Sequence, residues 1–218
     1  NFAAAEERNL RIFARMYGAS SVEVTALGGL SGARVLKVVA RNAGGGLVHT
    51  AVAKIGAIAT VHDEHGRFQR DISRLQQGGY PGLSVKIDAG SAGIGGLYYG
   101  MVGPDVTSLF QRLAAREDVA LNISTRLHGV EKPWLDGKTT HTVSVGEIRR
   151  KFLKDTRLLG IAAELQGFNT APVEAVQVGA YKCAQHNDLH GENVVFDSGG
   201  IGMVIDYNDT GPSFASVD

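Results

Sequence analysis

The sequence predicts an α+β fold, with an antiparallel sheet in its first half and a mainly helical second half. Three observations carry this. Strand-like segments at 22–26, 35–39 and 47–55 follow one another, the last two joined by Arg41-Asn42-Ala43-Gly44-Gly45-Gly46, a hairpin loop; hairpin-joined strands pair antiparallel. After Val102 the text turns largely helical. Near the end, apolar runs at 194–196 and 203–205 flank Ser198-Gly199-Gly200 and form a second hairpin. At 218 residues with 44% hydrophobic content, the chain is long enough to bury a sizeable core.

In chain order, residues 3–17 read as a helix packed on the outside of the fold, with Leu10, Phe13 and Tyr17 on one stripe and Gly18 as the stop. Between the first two strands lies Leu27-Gly28-Gly29-Leu30-Ser31-Gly32-Ala33-Arg34. A turn of this kind lets backbone N–H groups approach a polyphosphate with no Cβ in the way, which makes Gly28, Gly29, Ser31 and Gly32 candidate nucleotide contacts; ordinary hairpins also use Gly-Gly. Lys54 ends the alternating strand Thr50-Ala51-Val52-Ala53-Lys54-Ile55. Read on its own it is an edge lysine reaching solvent. A helix at 61–77 follows, with Phe68, Ile72 and Leu75 as its buried stripe and the carboxylates Asp63 and Glu64 in its first turn.

Gly78-Gly79-Tyr80-Pro81-Gly82 breaks the chain, and 83–87 and 96–102 read as two more strands. A helix is expected at 106–115, capped by Asp105, and another at 119–127. Residues 129–142, with Pro133, Trp134, Asp136 and Gly137, read as an irregular loop, Trp134 either helping to form an acceptor site or packing on the surface. Ser144-Val145-Gly146-Glu147 has the spacing of a capping box opening a helix at 145–159. Its Arg149, Arg150, Lys151, Lys154 and Arg157 form a solvated basic face or a contact for an acidic or phosphorylated substrate. Residues 161–180 are weakly patterned, with only a short helix near 161–165.

Lys plus Arg and Asp plus Glu number 22 each, so there is no electrostatic case for a nucleic-acid or membrane-surface partner. No apolar run approaches the roughly 18–20 residues that span a bilayer, and the opening residues do not read as a signal peptide. The single Cys183 rules out an internal disulfide and fits a reducing, cytoplasmic setting. Asn1 stands where an initiator methionine would, which suggests a processed or excised piece of a longer chain.

The chemistry concentrates in His186-Asn187-Asp188-Leu189-His190-Gly191-Glu192-Asn193 and the hairpin after it, which closes on Asp206. The hairpin brings Asn193 and Asp206 to one end, with Asp188 on the loop leading in. Converging Asn and Asp oxygens suit Mg²⁺, which completes its shell with phosphate and water; Asp188 is then free to orient or deprotonate a hydroxyl. A rival reading takes His186, Asp188 and His190 as alternating ligands of a transition metal in a zinc hydrolase. The glycine and hairpin that follow make a loop, not a strand, the expected setting. No Gly-x-Ser-x-Gly elbow is present.

The order His186-x-Asp188-Leu189-His190-x-x-Asn193, followed by Ile205-Asp206-Tyr207, resembles the protein-kinase-like superfamily and within it the aminoglycoside phosphotransferase and choline kinase branch. The resemblance also takes in the glycine turn, Lys54 and the 96–102 connector, so it spans most of the chain. It implies a two-lobe fold, with an antiparallel small nucleotide-binding lobe at 1–102 and a mainly helical large catalytic lobe at 103–218. It implies an ATP- and Mg²⁺-dependent phosphotransferase acting on a hydroxyl of a small molecule. In that scheme Asp188 is the base, His190 faces the transferred phosphate, and Asn193 and Asp206 hold the metal. Lys54, paired with Glu64 or with its rival Asp63, and the glycine turn hold the phosphates, and the backbone near Met101 and Val102 takes the adenine. His186 props the loop and Asp218 braces it. The chain stops twelve residues after Asp206, where members of that branch usually continue with further helices. A C-terminally truncated large lobe and other domains of a longer parent chain are therefore expected. The alternative function is a catalytically weak nucleotide-binding or scaffolding domain.

Overall fold

The computed structural model describes residues 2–27, 33–90, 92–103, 106–117, 120–164 and 169–215, with the backbone only at 120–122 and 162–163. The fold is mixed α and β with antiparallel strands throughout. Strands β1 (Ser21–Ala26), β2 (Arg34–Arg41), β3 (Leu47–Ala57), β4 (Leu83–Ile87) and β5 (Ile94–Gly100) form one sheet in the order β1-β2-β3-β5-β4. Side chains alternate between its faces with the period of two that strands impose. One face sets Leu36, Val38, Ala40, Ala51, Ala53, Ile55 and Tyr98 against helix α1 (Ala4–Met16), which contributes Leu10 and Phe13. Phe13 stacks on Tyr98 with ring centroids 4.2 Å apart, and the Tyr98 hydroxyl donates to Asn9 Oδ1 at 2.7 Å. The approach is close because Gly96 carries no side chain: a Cβ there would collide with Asn9 Oδ1. The stripe on α1 and its stop at Gly18, with φ of 64°, agree with the sequence reading.

The opposite face carries Val35, Lys37, Val52, Lys54 and Tyr99, in a register that pairs Val35 with Lys54 and Lys37 with Val52. Helix α2 (Ile58–Arg70) follows β3 directly and buries Val61 and Glu64.

Past α2 the chain leaves this sheet. A 3₁₀ turn (Ile72–Arg74) places Ile72 and Leu75 in a second core with Val130, Trp134, Val204 and Tyr207. Around it lie β6 (Thr107–Ser108), α3 (Leu109–Ala114), α4 (Ala120–Asp136), β7 (Thr139–Ser144), α5 (Val145–Phe152), α6 (Asp155–Glu164), α7 (Ala171–Glu174), β8 (Gln177–Gln185), β9 (Val194–Phe196), β10 (Gly202–Val204) and β11 (Gly211–Phe214). The last strands form two three-stranded sheets, β10-β9-β6 and β11-β8-β7. Residues 71–80 are tied in through their main-chain carbonyls: Trp134 Nε1 donates to Asp71 O at 2.8 Å, Arg126 Nη2 to Gly78 O at 2.7 Å and Val204 N to Gly79 O at 2.9 Å. Among the described residues no helix is long and apolar enough to cross a membrane.

Several expectations are corrected. The helix expected at 61–77 starts at Ile58 and ends at Arg70, so Glu64 stands beyond its first turn. The helix expected from 106 starts at Leu109, where Ser108 forms a capping box with Gln111, and β6 precedes it. Residues 129–142 are not a loop: α4 runs through Pro133 to Asp136 and β7 follows. Trp134 is 2% exposed, so it belongs to the second core and does not pack on the surface. The 145–159 helix breaks at Leu153-Lys154 into α5 and α6. Ser144 accepts from Glu147 N at 3.1 Å, yet the Glu147 carboxylate accepts from Lys182 at 3.0 Å. Arg149 belongs to no free basic face: its Nε and Nη2 each lie 2.9 Å from the Glu174 carboxylate and its Nη2 lies 2.6 Å from Asp155, joining α5, α6 and α7. Those carboxylates raise its already high pKa. Residues 161–180 hold the end of α6, α7 and the start of β8.

Candidate functional site

The cleft face of the five-stranded sheet looks onto the hairpin β9–β10, and between them is a cavity of about 620 Å³. Its walls are mostly apolar, among them Val35, Val52, Met101, Val102, Val195 and Ile205. Its polar floor is a chain of contacts. Lys54 reaches from β3 and sits 3.1 Å from Glu64 Oε1, on α2, and 2.9 Å from Asp206 Oδ1, just past β10. The Tyr99 hydroxyl donates to the same Glu64 oxygen at 2.7 Å. Burial first, and the Glu64 charge second, hold the Tyr99 phenol far above its usual pKa, so it stays a donor. Asn208 joins the other end, with Oδ1 3.4 Å from Lys54 Nζ and Nδ2 2.9 Å from Asp206 Oδ1. Asp63, the rival to Glu64, takes no part in this chain.

Asn193 and Asp206 flank the open end of the hairpin, where Ile205 N donates to Asn193 O at 2.9 Å. Asp206 has φ of 60°, a left-handed backbone that Asp tolerates better than most residues. Asn193 is buried, and its Nδ2 donates to Asp188 O at 2.9 Å and reaches Asp188 Oδ2 at 3.4 Å and His190 Nε2 at 3.2 Å. Its amide oxygen is thereby turned away from Asp188. Asp188 and His190 do not line the cavity; they stand across Asn193 from it, with side chains about half exposed and 3.8 Å apart. The His190 ring lies parallel to Phe110 of α3, centroids 6.5 Å apart.

His186 is wholly buried, with Nε2 2.9 Å from Ile205 O and the ring 5.1 Å from Tyr207. It therefore ties the loop after β8 to the strand before Asp206. This turns it away from His190, and among the described residues no three His, Cys, Asp or Glu converge as metal ligands. The zinc-hydrolase geometry is not formed. Among the residues that line the cavity, Asn193, Asp206 and the exposed Glu192 carry side-chain oxygens that could serve a cation, a donor set that suits a hard ion sharing its shell with phosphate and water.

No protein-family model matches the chain, and no curated protein matches it significantly.

Of the residues singled out in the sequence, Lys54, Glu64, Met101, Val102, Asn193 and Asp206 line one cavity, with Asp188, His190 and His186 in the loop beside it. Gly28, Gly29, Ser31, Gly32 and Asp218 lie outside the described residues. Sequence reasoning missed Tyr99, Lys37, Glu192 and Asn208. Strand alternation puts Tyr99 on β5 and Lys37 on β2 on the face of Lys54 only once the register pairing Lys54 with Leu97 and Val35 is known, which the sequence alone does not supply.

Proposed function

We propose that the chain binds a nucleoside triphosphate with Mg²⁺ and transfers its terminal phosphoryl group to a hydroxyl of a small molecule, as a kinase-like phosphotransferase with a small lobe at 1–102 and a large lobe at 103–218. One observation carries this reading. Lys54 from the sheet, Glu64 from α2 and Asp206 from the hairpin meet at 3.1 and 2.9 Å in the floor of an apolar-walled cleft.

Phosphoryl transfer asks a protein mainly to position groups and offset charge. The apolar walls near Met101 and Val102 suit a nucleobase, and Lys54, fixed by Glu64, is aimed at phosphate oxygens. Asn193 Oδ1 and Asp206 Oδ2 would hold Mg²⁺, whose charge would offset that of the phosphates. Asp188 stands in the loop as acceptor of the hydroxyl proton. It is kept in place by the Asn193 amide, which also lines the cleft. The resemblance to the aminoglycoside and choline kinase branch supports the same assignment.

The test is ATP turnover with Mg²⁺ against a broad panel of hydroxyl acceptors. Asp188→Asn is expected to slow transfer by roughly 10²–10⁴-fold while retaining most of the thermal stabilisation by Mg-ATP. Stabilisation without turnover on any acceptor would assign the chain to nucleotide binding alone. No stabilisation by any nucleoside triphosphate would overturn both.

A further inference from the structure

We infer that Asn208 is a positioning residue that orients the Asp206 carboxylate toward the cation; the inference rests on the reading above. Asn208 follows Asp206 by two residues and turns its amide back on it. Its Nδ2 donates to Asp206 Oδ1 at 2.9 Å, and Lys54 Nζ donates to that same oxygen at 2.9 Å. Two donors converge on one carboxylate oxygen. Among the described residues Asp206 Oδ2 receives none, so its lone pairs are left for a cation. The Asp206 side chain is 42% exposed, and packing alone does not fix its rotation.

Lys54 cannot hold that rotation throughout a binding cycle. Its ammonium is the group that phosphate oxygens draw away from Asp206. Once it has moved, Asn208 is the donor that remains on Oδ1, and the carboxylate keeps its aim while Lys54 changes partner. The Asn208 carbonyl, 3.4 Å from Lys54 Nζ, also offers the ammonium a neutral contact beside the charged one. An asparagine serving only the turn would spend its side chain on nearby main chain. This one bonds instead to Asp206 and to Lys54, which lies 154 residues away.

The experiment uses the full chain, with ATP fixed and Mg²⁺ titrated from micromolar to tens of millimolar, following the nucleotide-dependent rise in Tm. Asn208→Leu, similar in volume but without the amide, is expected to raise the Mg²⁺ concentration for half the full rise by roughly tenfold or more, the loss of one hydrogen bond to a charged group. Its Tm without ligand should stay within a few degrees of the parent. Asn208→Gln, which keeps the amide one methylene further out, should recover part of the Mg²⁺ response. An Mg²⁺ midpoint unchanged in Asn208→Leu, whatever its unliganded Tm, would overturn the proposal and leave the phosphotransferase reading standing. If Asn208→Leu fails to fold, Asn208→Ser, which also lacks the amide, decides by its midpoint in the same way. A parent chain with no Mg²⁺-dependent rise would overturn both.

Discussion

At the scale of single residues, Lys54 is held from two sides in the cleft. It is 13% exposed between Glu64, 6% exposed, and the more open Asp206. Lys54→Met leaves Glu64 buried with only the Tyr99 hydroxyl as partner, a loss on the order of 3 kcal/mol for breaking a buried pair from one side. That corresponds to a fall in Tm of roughly 6–12 °C for a chain of this size. The variant should still unfold in one transition, and the nucleotide-dependent rise in Tm should vanish. A variant that kept its full nucleotide response would mark Lys54 as structural only. This residue was legible in the sequence because a charge at the end of an apolar strand has few bland explanations. Tyr99 and Asn208 were not. A tyrosine in an apolar strand reads as core, and an asparagine after a strand reads as turn; only the fold shows that both point at partners of Lys54.

At the scale of elements, the segment 71–80 shows what local pattern leaves out. Its glycines read as a chain break, yet Gly79 is a packing position: a Cβ there would lie well inside contact distance of both Val130 methyl groups on α4. Gly79 O also accepts from Val204 N at 2.9 Å, so the main chain has little room to shift. Gly79→Ala is expected to cost about 1–3 kcal/mol through overpacking. Val130→Ala in the same chain should make room and return part of it, a coupling read from a double-mutant cycle in urea. Additive losses would show that the site relaxes without Val130. Strands β1 to β5 were legible because alternation and hairpin signals agree there. The stretch 129–142 was not, because Pro133 and Gly137 read as breakers while the core contacts of Val130 and Trp134 hold α4 together past Pro133. Strand β8 carries the polar Gln177, Lys182 and Gln185 among small residues, and its place is set by pairing with β7 and β11 rather than by its own pattern.

At the scale of the molecule, the two cores share the connection from α2 to β4. Ile72 and Leu75 come from the first half of the chain and are buried with Trp134 and Tyr207 from the second. The second core therefore cannot form without a segment from the first half of the chain, and one cooperative transition is expected. Trp134 is the sole tryptophan and reports on the second core, while far-UV dichroism reports on all strands and helices. The two melting curves should coincide to within about 2 °C. A fluorescence transition clearly below the dichroism transition would mean that the second core opens on its own.

The pairing at the cleft floor also has an arithmetic. Glu64 and Asp206 set two negative charges against the single ammonium of Lys54, so this cluster carries a formal surplus of one negative charge. A bare polyphosphate arriving there adds like charge at close range, in surroundings less screening than water. One that arrives already complexed with a divalent ion brings its own neutralisation and meets Asp206 as a partner instead of an opponent. On the proposed reading, such a floor would favour nucleotide already complexed with a divalent ion, and uncomplexed nucleotide would be a weak competitor.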